Sequence, residues 1–344
     1  MIPHSRPWIT EGDRAAVLAC LESGMIARGD LVRQLERRLA ETFGFADAVA
    51  VGSGCQALLL ALRATGIGGG DRVALPTFVC PELLGVIAAA CATPVLADVG
   101  PDYLLDDADA CVETSRANAV ILPSLFGRRA RWNPRGRSAL VIHDWAQYLP
   151  LSPSHDDVDI AILSFGATKV MTAAEGGAVM LRSTETADAV RRQMRLGESG
   201  FGLNLFPLSD LQAALAISQL DRVDEIGSRR IQLADAYVQA FGAIPGLSTV
   251  AFAAGDIPYR LAVRAEPELL ARLGGLDAVL AEYERNGIAA RRPVAVLLHH
   301  IVETDRSFPA ADALYATTFS IPLYPSLSEN EREWITDVTR KIFS

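Results

Sequence analysis

Apolar positions recur at helical spacing through two N-terminal stretches, about residues 11–23 and 30–43, with Gly24 and Gly29 between them. The period then changes. Short apolar runs bounded by turn residues alternate with helix-forming segments: a strand over 48–51, a helix over 56–64 with leucines on one face, a strand over 72–75 and a helical stretch over 81–91. The runs at 72–75, 94–97, 119–122, 140–142 and 160–163 recur at intervals that suit βα units. They predict an α/β fold with a mostly parallel sheet, and residues 177–181 supply one more strand that closes this large domain.

From about 187 to 228 the pattern is helical, with Pro207 just before a helix start at Ser209-Asp210-Leu211-Gln212. The remainder predicts a helix over 229–241, strands near 248–252 and 258–264, a helix over 266–286, and a last helix over 327–342 begun by Ser326 or Ser328. The expected division is a large domain over 1–228, with its N-terminal helices, and a smaller α+β domain over 229–344. The chain contains no internal repeat and no low-complexity tract.

Half of the 344 residues are hydrophobic, enough for a large core. The net charge of −9 argues against nucleic acid as a partner, although local amides and a few arginines can still bind small anions. The first thirty residues lack a basic start followed by an apolar stretch, so no targeting segment is expected. The most apolar stretch, 83–99, is interrupted by Gly85, Pro94 and Asp98, too broken to span a bilayer. Five cysteines (Cys20, Cys55, Cys80, Cys91 and Cys111) are scattered without metal-type spacing, as expected of buried or site residues in a reducing cytoplasm.

Lysine use is more informative. The chain has two lysines, Lys169 and Lys341, and every other basic side chain is arginine. Lys341 belongs to the C-terminal helix, where a cation complements the dipole. Lys169 ends the uncharged segment Ser164-Phe165-Gly166-Ala167-Thr168-Lys169. Arginine cannot replace lysine where an amine must deprotonate and attack a carbonyl. An exposed loop lysine is the bland alternative.

Three further segments sit at the carboxyl ends of expected strands, where open α/β sheets bind ligands. Asp144, in Val141-Ile142-His143-Asp144-Trp145-Ala146-Gln147, can pair with a pyridinium nitrogen and keep the ring protonated; an N-cap or a buried ion-pair acid is the alternative. Val51-Gly52-Ser53-Gly54-Cys55-Gln56 is a strand–turn–helix step that offers N–H groups and a hydroxyl to a phosphate, or simply a tight turn with a serine cap. Phe78, in Pro76-Thr77-Phe78, can stack on a flat heterocycle or fill the core. No Lys-Ser/Thr pair makes a P-loop, Gly66 to Gly70 is no dinucleotide fingerprint, and no Gly-x-Ser-x-Gly elbow occurs. His299-His300 and His155-Asp156-Asp157 are not spaced as a metal site, so no metal is expected.

Taken in order, these segments resemble the DegT/DnrJ/EryC1/StrS sugar aminotransferase family, of the fold type I (aspartate aminotransferase-like) pyridoxal-phosphate enzymes. The resemblance runs over nearly the whole chain: Ile2-Pro3, Arg6-Pro7, Ser23-Gly24, Arg28-Gly29, Leu35-Glu36, Ser53-Gly54, Gly70 to Val73, Ala92 to Val95 with Asp98, and Asp144 to Gln147. It continues through Ser164-Phe165, Thr168-Lys169, Glu175 to Ala178, Ser209 to Ala214, Phe308 to Ala311 and Ile321 to Pro325. It implies a three-layer α/β/α large domain and pyridoxal 5'-phosphate held by Lys169 as a Schiff base, with Lys169 also moving the proton. Asp144 would hold the ring nitrogen, Phe78 would stack on the ring, and Gln147 would sit near the phenolic oxygen. Ser53, Gly54 and Ser164 would hold the phosphate, with Cys55 where threonine is usual. The family's habit implies a cytoplasmic homodimer with sites at the interface, a glutamate or glutamine amino donor and a keto-sugar acceptor, free or nucleotide-linked.

Departures from the family pattern are His143 for an acid, Trp145 for a small residue, Gly166-Ala167 for an aromatic–proline pair, and Asn204 to Leu208 for an Asn-Tyr-Arg segment. Trp145 beside the cofactor and the missing arginine imply an unusual acceptor, and Asn204 is the candidate to reach the neighbouring subunit's phosphate. Other carbanion chemistry on the same cofactor, or a non-catalytic binding protein of this fold, are the alternatives; retention of both Lys169 and Asp144 weighs against the second.

Overall fold

A computed structural model describes residues 1–105, 117–130, 139–151, 157–196 and 203–344. Seven strands make one sheet: β1 (Asp47–Val51), β2 (Arg72–Pro76), β3 (Thr93–Ala97), β4 (Ala119–Pro123), β5 (Leu140–Asp144), β6 (Ile160–Ser164) and β7 (Gly177–Leu181). Their order is β1-β7-β6-β5-β4-β2-β3. Neighbours from β6 to β3 run parallel, while β7 is antiparallel to both β6 and β1. The expected α/β architecture is therefore present, with one reversed strand set between β1 and β6. That reversal places the carboxyl ends of β1, β5 and β6 at one edge, together with Gly177, the first residue of β7.

Both faces of the sheet are covered, so its strands read as apolar runs rather than as alternations. Side chains nevertheless divide with period two. Val49, Ile160, Ile162 and Val179 join a core with the helix Gly54–Ala64, whereas Ala48, Ala50, Ala161 and Met180 face the helices Asp30–Phe43 and Asp210–Asp221. The N-terminal helix occupies Glu11–Ser23. No helix among the described residues is long and apolar enough to cross a membrane.

The C-terminal part differs more from the sequence expectation. The stretch 187–228 is not helical throughout: after the helix Thr184–Gln193, a ribbon of β8 (Arg195–Leu196) and β9 (Leu203–Asn204) precedes the helices Asp210–Asp221 and Val223–Gly242. Two-residue strands carry no readable period. The helix Val223–Gly242 runs without a break through residue 228. The stretch 266–286 is two helices, Pro267–Arg272 and Leu276–Arg285, because Gly274 and Gly275 take φ of 84° and 91° between them. An antiparallel sheet contains β10 (Leu247–Thr249), β11 (Leu261–Ala265) and β12 (Thr318–Ile321). β12 and the preceding helix Pro309–Thr317 had no counterpart in the sequence reading. The last helix, Glu329–Phe343, begins at Ser328, whose hydroxyl accepts from the Glu331 amide.

Several of the family-like segments prove to be long-range helix caps. The Asp210 carboxylate, 2% exposed, accepts N–H groups from Gly29 at 2.8 Å, Leu31 at 3.2 Å and Val32 at 3.0 Å. It thereby serves the start of the helix Asp30–Phe43, whose own N-cap, Gly29, has no side chain to offer. A Cβ on Gly29 would lie 2.8 Å from Asp210 Oδ2 and would push that carboxylate out of its capping position. Asp98, just past β3, accepts in the same way from Ala310 at 3.0 Å and Ala311 at 2.9 Å, at the start of the helix Pro309–Thr317. Glu36 accepts from Arg28 at 2.8 Å and from the Ala50 amide at 2.9 Å, tying the second helix to β1.

Candidate active site

Asp144 ends β5 and Ser164 ends β6, the next strand. Beyond Ser164 the chain turns tightly. Lys169 N donates to Gly166 O at 3.0 Å, Ala173 N to Phe165 O at 2.8 Å, and Phe165 N to Gly176 O at 2.8 Å. Gln212, the third residue of its helix, completes a capping box with Ser209 and donates its Nε2 to Glu175 O at 3.0 Å. The loop carrying Lys169 is thus laced to β7 and to the helix Asp210–Asp221 by backbone bonds. Its fold does not depend on the lysine side chain, which leaves the amine available for chemistry.

The Ser53–Gly54 step is brought to the same place by β7. Gly177 pairs with Val51 on one side and with Ser164 on the other. A Cβ on Gly177 would lie 2.6 Å from Gly54 N, and one on Gly54 would lie 3.0 Å from Ser164 Cβ and 3.3 Å from its Oγ. Two glycines therefore let the start of the helix Gly54–Ala64 approach Ser164. Ser53 Oγ caps that helix by accepting from Gln56 N at 3.2 Å. The N–H groups of the first turn have no acceptor within an α-helix and suit an anion. Gly52 N donates to Phe206 O at 2.9 Å, so the segment that departs from the family pattern runs beside this step. The Asn204 side chain, Cys111, His155 and Asp156 lie outside the described residues.

Asp144 is buried, and its Oδ1 accepts from Ala146 N at 2.9 Å. Burial pushes its carboxyl above the ordinary value, opposed by the Ala146 N–H and by the charge of Lys169. A buried carboxylate in that state is relieved by a cation, which is what a protonated pyridine nitrogen supplies. Gln147 lies at the same end, its Oε1 accepting from Phe126 N at 3.2 Å. The Cys55 thiol is pushed up by burial and then by the carboxylates Asp144 and Glu82, with Lys169 opposing, which places it in the same electrostatic neighbourhood. Phe78 follows β2 at this edge of the sheet but is fully buried, its ring 5.5 Å from that of Tyr103.

Trp145 is buried. Its ring, 1% exposed, packs edge-on against Phe45 at 5.9 Å and Tyr148 at 5.5 Å, in the core beneath the helix Asp30–Phe43. Its bulk is largely spent on packing, and it also borders a small cavity with Gln147, Ser164 and Lys169. Sequence reasoning also missed neighbours of the site. Lys169 Nζ lies 5.4 Å over the ring of Tyr259, a distance suited to a cation–π contact. Burial would raise the Tyr259 phenol, but Lys169, Arg260, a hydrogen bond with Thr168 and Arg230 together bring it below its ordinary value. The Tyr259 backbone is anchored from two sides: its N–H donates to Phe126 O at 3.0 Å, and its carbonyl accepts from the buried Arg230 at 3.2 Å. Cys80 and Glu82 also lie near enough to Asp144 and Cys55 to interact, burial again raising the Cys80 thiol first. No motif marked these residues, because they reach the site from separate elements.

Comparison with known proteins shows the family. The chain is 30% identical to the spore coat polysaccharide biosynthesis protein SpsC of Bacillus subtilis, over 99% of this chain and 97% of that protein. Its fold matches a putative sugar aminotransferase, Spr1654, of Streptococcus pneumoniae in its PMP form, with TM-score 0.88, 23% identity and coverage of 99% and 97%. It also matches Helicobacter pylori PseC, an aminotransferase of pseudoaminic acid biosynthesis, with TM-score 0.89, 20% identity and coverage of 99% and 98%. A family model matches residues 7–340, nearly the span over which the segments described above occur in order. With a lysine, a buried aspartate and a helix N-terminus converging at one edge of the sheet, the chain is a pyridoxal-phosphate-dependent enzyme of the DegT/DnrJ/EryC1/StrS aminotransferase family.

Proposed function

We propose that the protein moves an amino group from glutamate or glutamine to a keto-sugar, free or nucleotide-linked. The family membership and the polysaccharide and sugar roles in its relatives' names support the substrate class. The carrying observation is the placement of Asp144 and Lys169 at the same ends of adjacent strands, with the Ser53–Gly54 helix start across β7.

In this reading Lys169 is the catalytic amine, holding the cofactor covalently and carrying the proton at Nζ. Asp144 holds the ring nitrogen protonated. Ser53, Gly54, Cys55 and Ser164 cradle the phosphate with hydroxyls and first-turn N–H groups. Gln147 orients the phenolic oxygen and Phe78 backs the ring. Pyridoxal phosphate supplies the electron sink that lets a substrate carbon lose its proton. Tyr259, under Lys169 Nζ, positions that amine through its ring face.

The reading includes a homodimer. Leu18 and Leu21 on the first helix are 54% and 51% exposed, and with Val17 they line an apolar groove shared with Ala167 and Ala174 of the Lys169 loop. Such a patch beside a catalytic loop suits a second copy of the chain. It also includes the division near residue 228 and a cytoplasmic setting, which the free thiols of Cys20, Cys55, Cys80 and Cys91 support.

Borohydride reduction of the cofactor-treated protein, followed by peptide mapping, tests the assignment. With two lysines in the chain, label on Lys169 is the expected result. Label on Lys341 alone, or on neither, defeats it. Amino-donor and keto-sugar screens by mass spectrometry then test the substrates.

A further inference from the structure

The dipeptide His299-His300, which carries no metal-type spacing in sequence, acquires a third partner in the fold. Both histidines lie on the single turn Leu298–His300, and Asp312 lies in the first turn of the helix Pro309–Thr317. His299 Nε2 is 3.1 Å and His300 Nε2 3.2 Å from the same atom, Asp312 Oδ1. One ligand atom from each of the three residues lies within 4.8 Å of the others.

His299 is held from every side. Its Nδ1 lies 2.8 Å from the hydroxyl of Thr77, a fully buried residue at the end of β2, and its backbone N–H donates to that hydroxyl at 3.1 Å. Phe308 stacks on its ring at 4.6 Å. A histidine whose far nitrogen is engaged by a fixed partner presents the other nitrogen in one direction, as metal-binding histidines do. The opposite side of the cluster is open, because the side chains of His300 and Asp312 are 45% and 50% exposed.

Two of the three separations suit a metal as well as a hydrogen bond, and the third is within 4.8 Å. Zinc-class ions hold nitrogen and oxygen ligands at about 2.0–2.1 Å, and inter-ligand angles of roughly 90–110° then set the ligand atoms about 2.9–3.4 Å apart. Both observed separations fall in that range. Two imidazoles and one carboxylate favour Zn²⁺, Co²⁺ or Ni²⁺ over Mg²⁺ and Ca²⁺, which prefer all-oxygen sets.

We propose that His299, His300 and Asp312 bind a divalent transition-metal ion of the zinc class, with water completing its coordination. Bound there, the ion clips the 298–300 turn, seated on Thr77 of the large sheet, to the start of the helix that Asp98 caps. The site shares no residue with the Lys169 cluster, so the proposal stands apart from the reading of that cluster.

The test is Co²⁺ and Zn²⁺ binding to the full-length holoenzyme, by visible absorption and calorimetry. The expected result is one ion per chain, Co²⁺ d–d bands without a thiolate charge-transfer band, and a metal-dependent rise in melting temperature. His300→Ala and Asp312→Asn, both at exposed positions, should each weaken binding about 100-fold or more and abolish the thermal shift. Thr77→Ser, which keeps the hydroxyl, should bind as the wild type does. Absence of binding by the wild type, unchanged affinity in both ligand variants, or thiolate bands pointing to Cys55 and Cys80 would overturn the proposal.

Discussion

Gly177→Ala probes how the sheet builds the proposed phosphate cradle. The added Cβ would lie 2.6 Å from both Gly54 N and Ser53 C, and 2.7 Å from Ser53 O. All three are backbone atoms, so no side chain can swing aside. β7 cannot retreat either, since Gly177 is paired with Val51 on one flank and Ser164 on the other. Reaching an ordinary contact of 3.4 Å requires the Ser53–Gly54 backbone to move by about 0.8 Å. Overpacking of this kind costs about 1–3 kcal/mol, which lowers the melting temperature by a few degrees. Displacement at a site that depends on positioning costs more, up to roughly 100-fold for 1 Å. The expectation is therefore pyridoxal-phosphate affinity weakened about 10- to 100-fold alongside a modest loss of stability. Titration of the cofactor-free protein, followed by cofactor absorbance, measures the first, and thermal unfolding the second. Gly69→Ala is the control, because a Cβ there meets nothing within 4 Å. Wild-type affinity and melting temperature in Gly177→Ala would refute the reasoning.

Asp144→Asn should separate stability from function. Burial raises the folded-state pKa of Asp144 above its ordinary 3.8, so its contribution is fully present below that value and lost as pH rises through the folded pKa. The cofactor-free variant should be more stable than the wild type at pH 7 and equal to it near pH 3, while transamination falls by about 100-fold or more; a stability difference independent of pH in urea unfolding would contradict this. Arg230→Met removes a guanidinium, held down to about 10 by burial, that donates to the carbonyls of Pro258, Tyr259 and Leu323. Leaving those acceptors unpaired should cost about 3–5 kcal/mol, and a loss under about 1 kcal/mol in denaturant titration would show that the anchor is dispensable. For Tyr259 the folded-state pKa is depressed, so the phenol's contribution is fully present above about 10 and lost as pH falls through the folded value. The stability gap between the wild type and Tyr259→Phe should widen as pH rises from 7 to 10, and a gap that does not change with pH would count against the cationic neighbours as its cause.

The large sheet was readable because its strands are buried on both faces and its helices on one, so hydrophobic period alone locates them. The helices Glu11–Ser23 and Asp30–Phe43 fall where periodicity and flanking glycines place them. Lys169 and Asp144 stood out as candidates for a chemical reason: Lys169 is one of two lysines in an arginine-rich chain, and Asp144 ends an apolar strand. The C-terminal part was less legible. A two-residue strand has no period, the Gly274-Gly275 turn signal sits inside a longer helical pattern, and β12 alternates as Thr-Phe-Ser-Ile over only four residues, too few to stand out.

Tertiary structure alone decided what several of the family-like segments are for. Asp210 with Gly29, and Asp98 with Ala310, are caps made between elements far apart in the chain, so sequence displays the two halves without their relation. The same holds for Trp145, whose ring the fold packs against Phe45 and Tyr148. It holds also for Tyr259 under Lys169, and for Asp312 beside two histidines whose own spacing meant nothing. Local pattern determines secondary structure and the chemical kind of a residue because both depend on near neighbours and intrinsic chemistry. Which distant donor, ring or carboxylate meets a given side chain depends on how the sheet orders its strands, and here that order comes from β7 running backwards between β1 and β6.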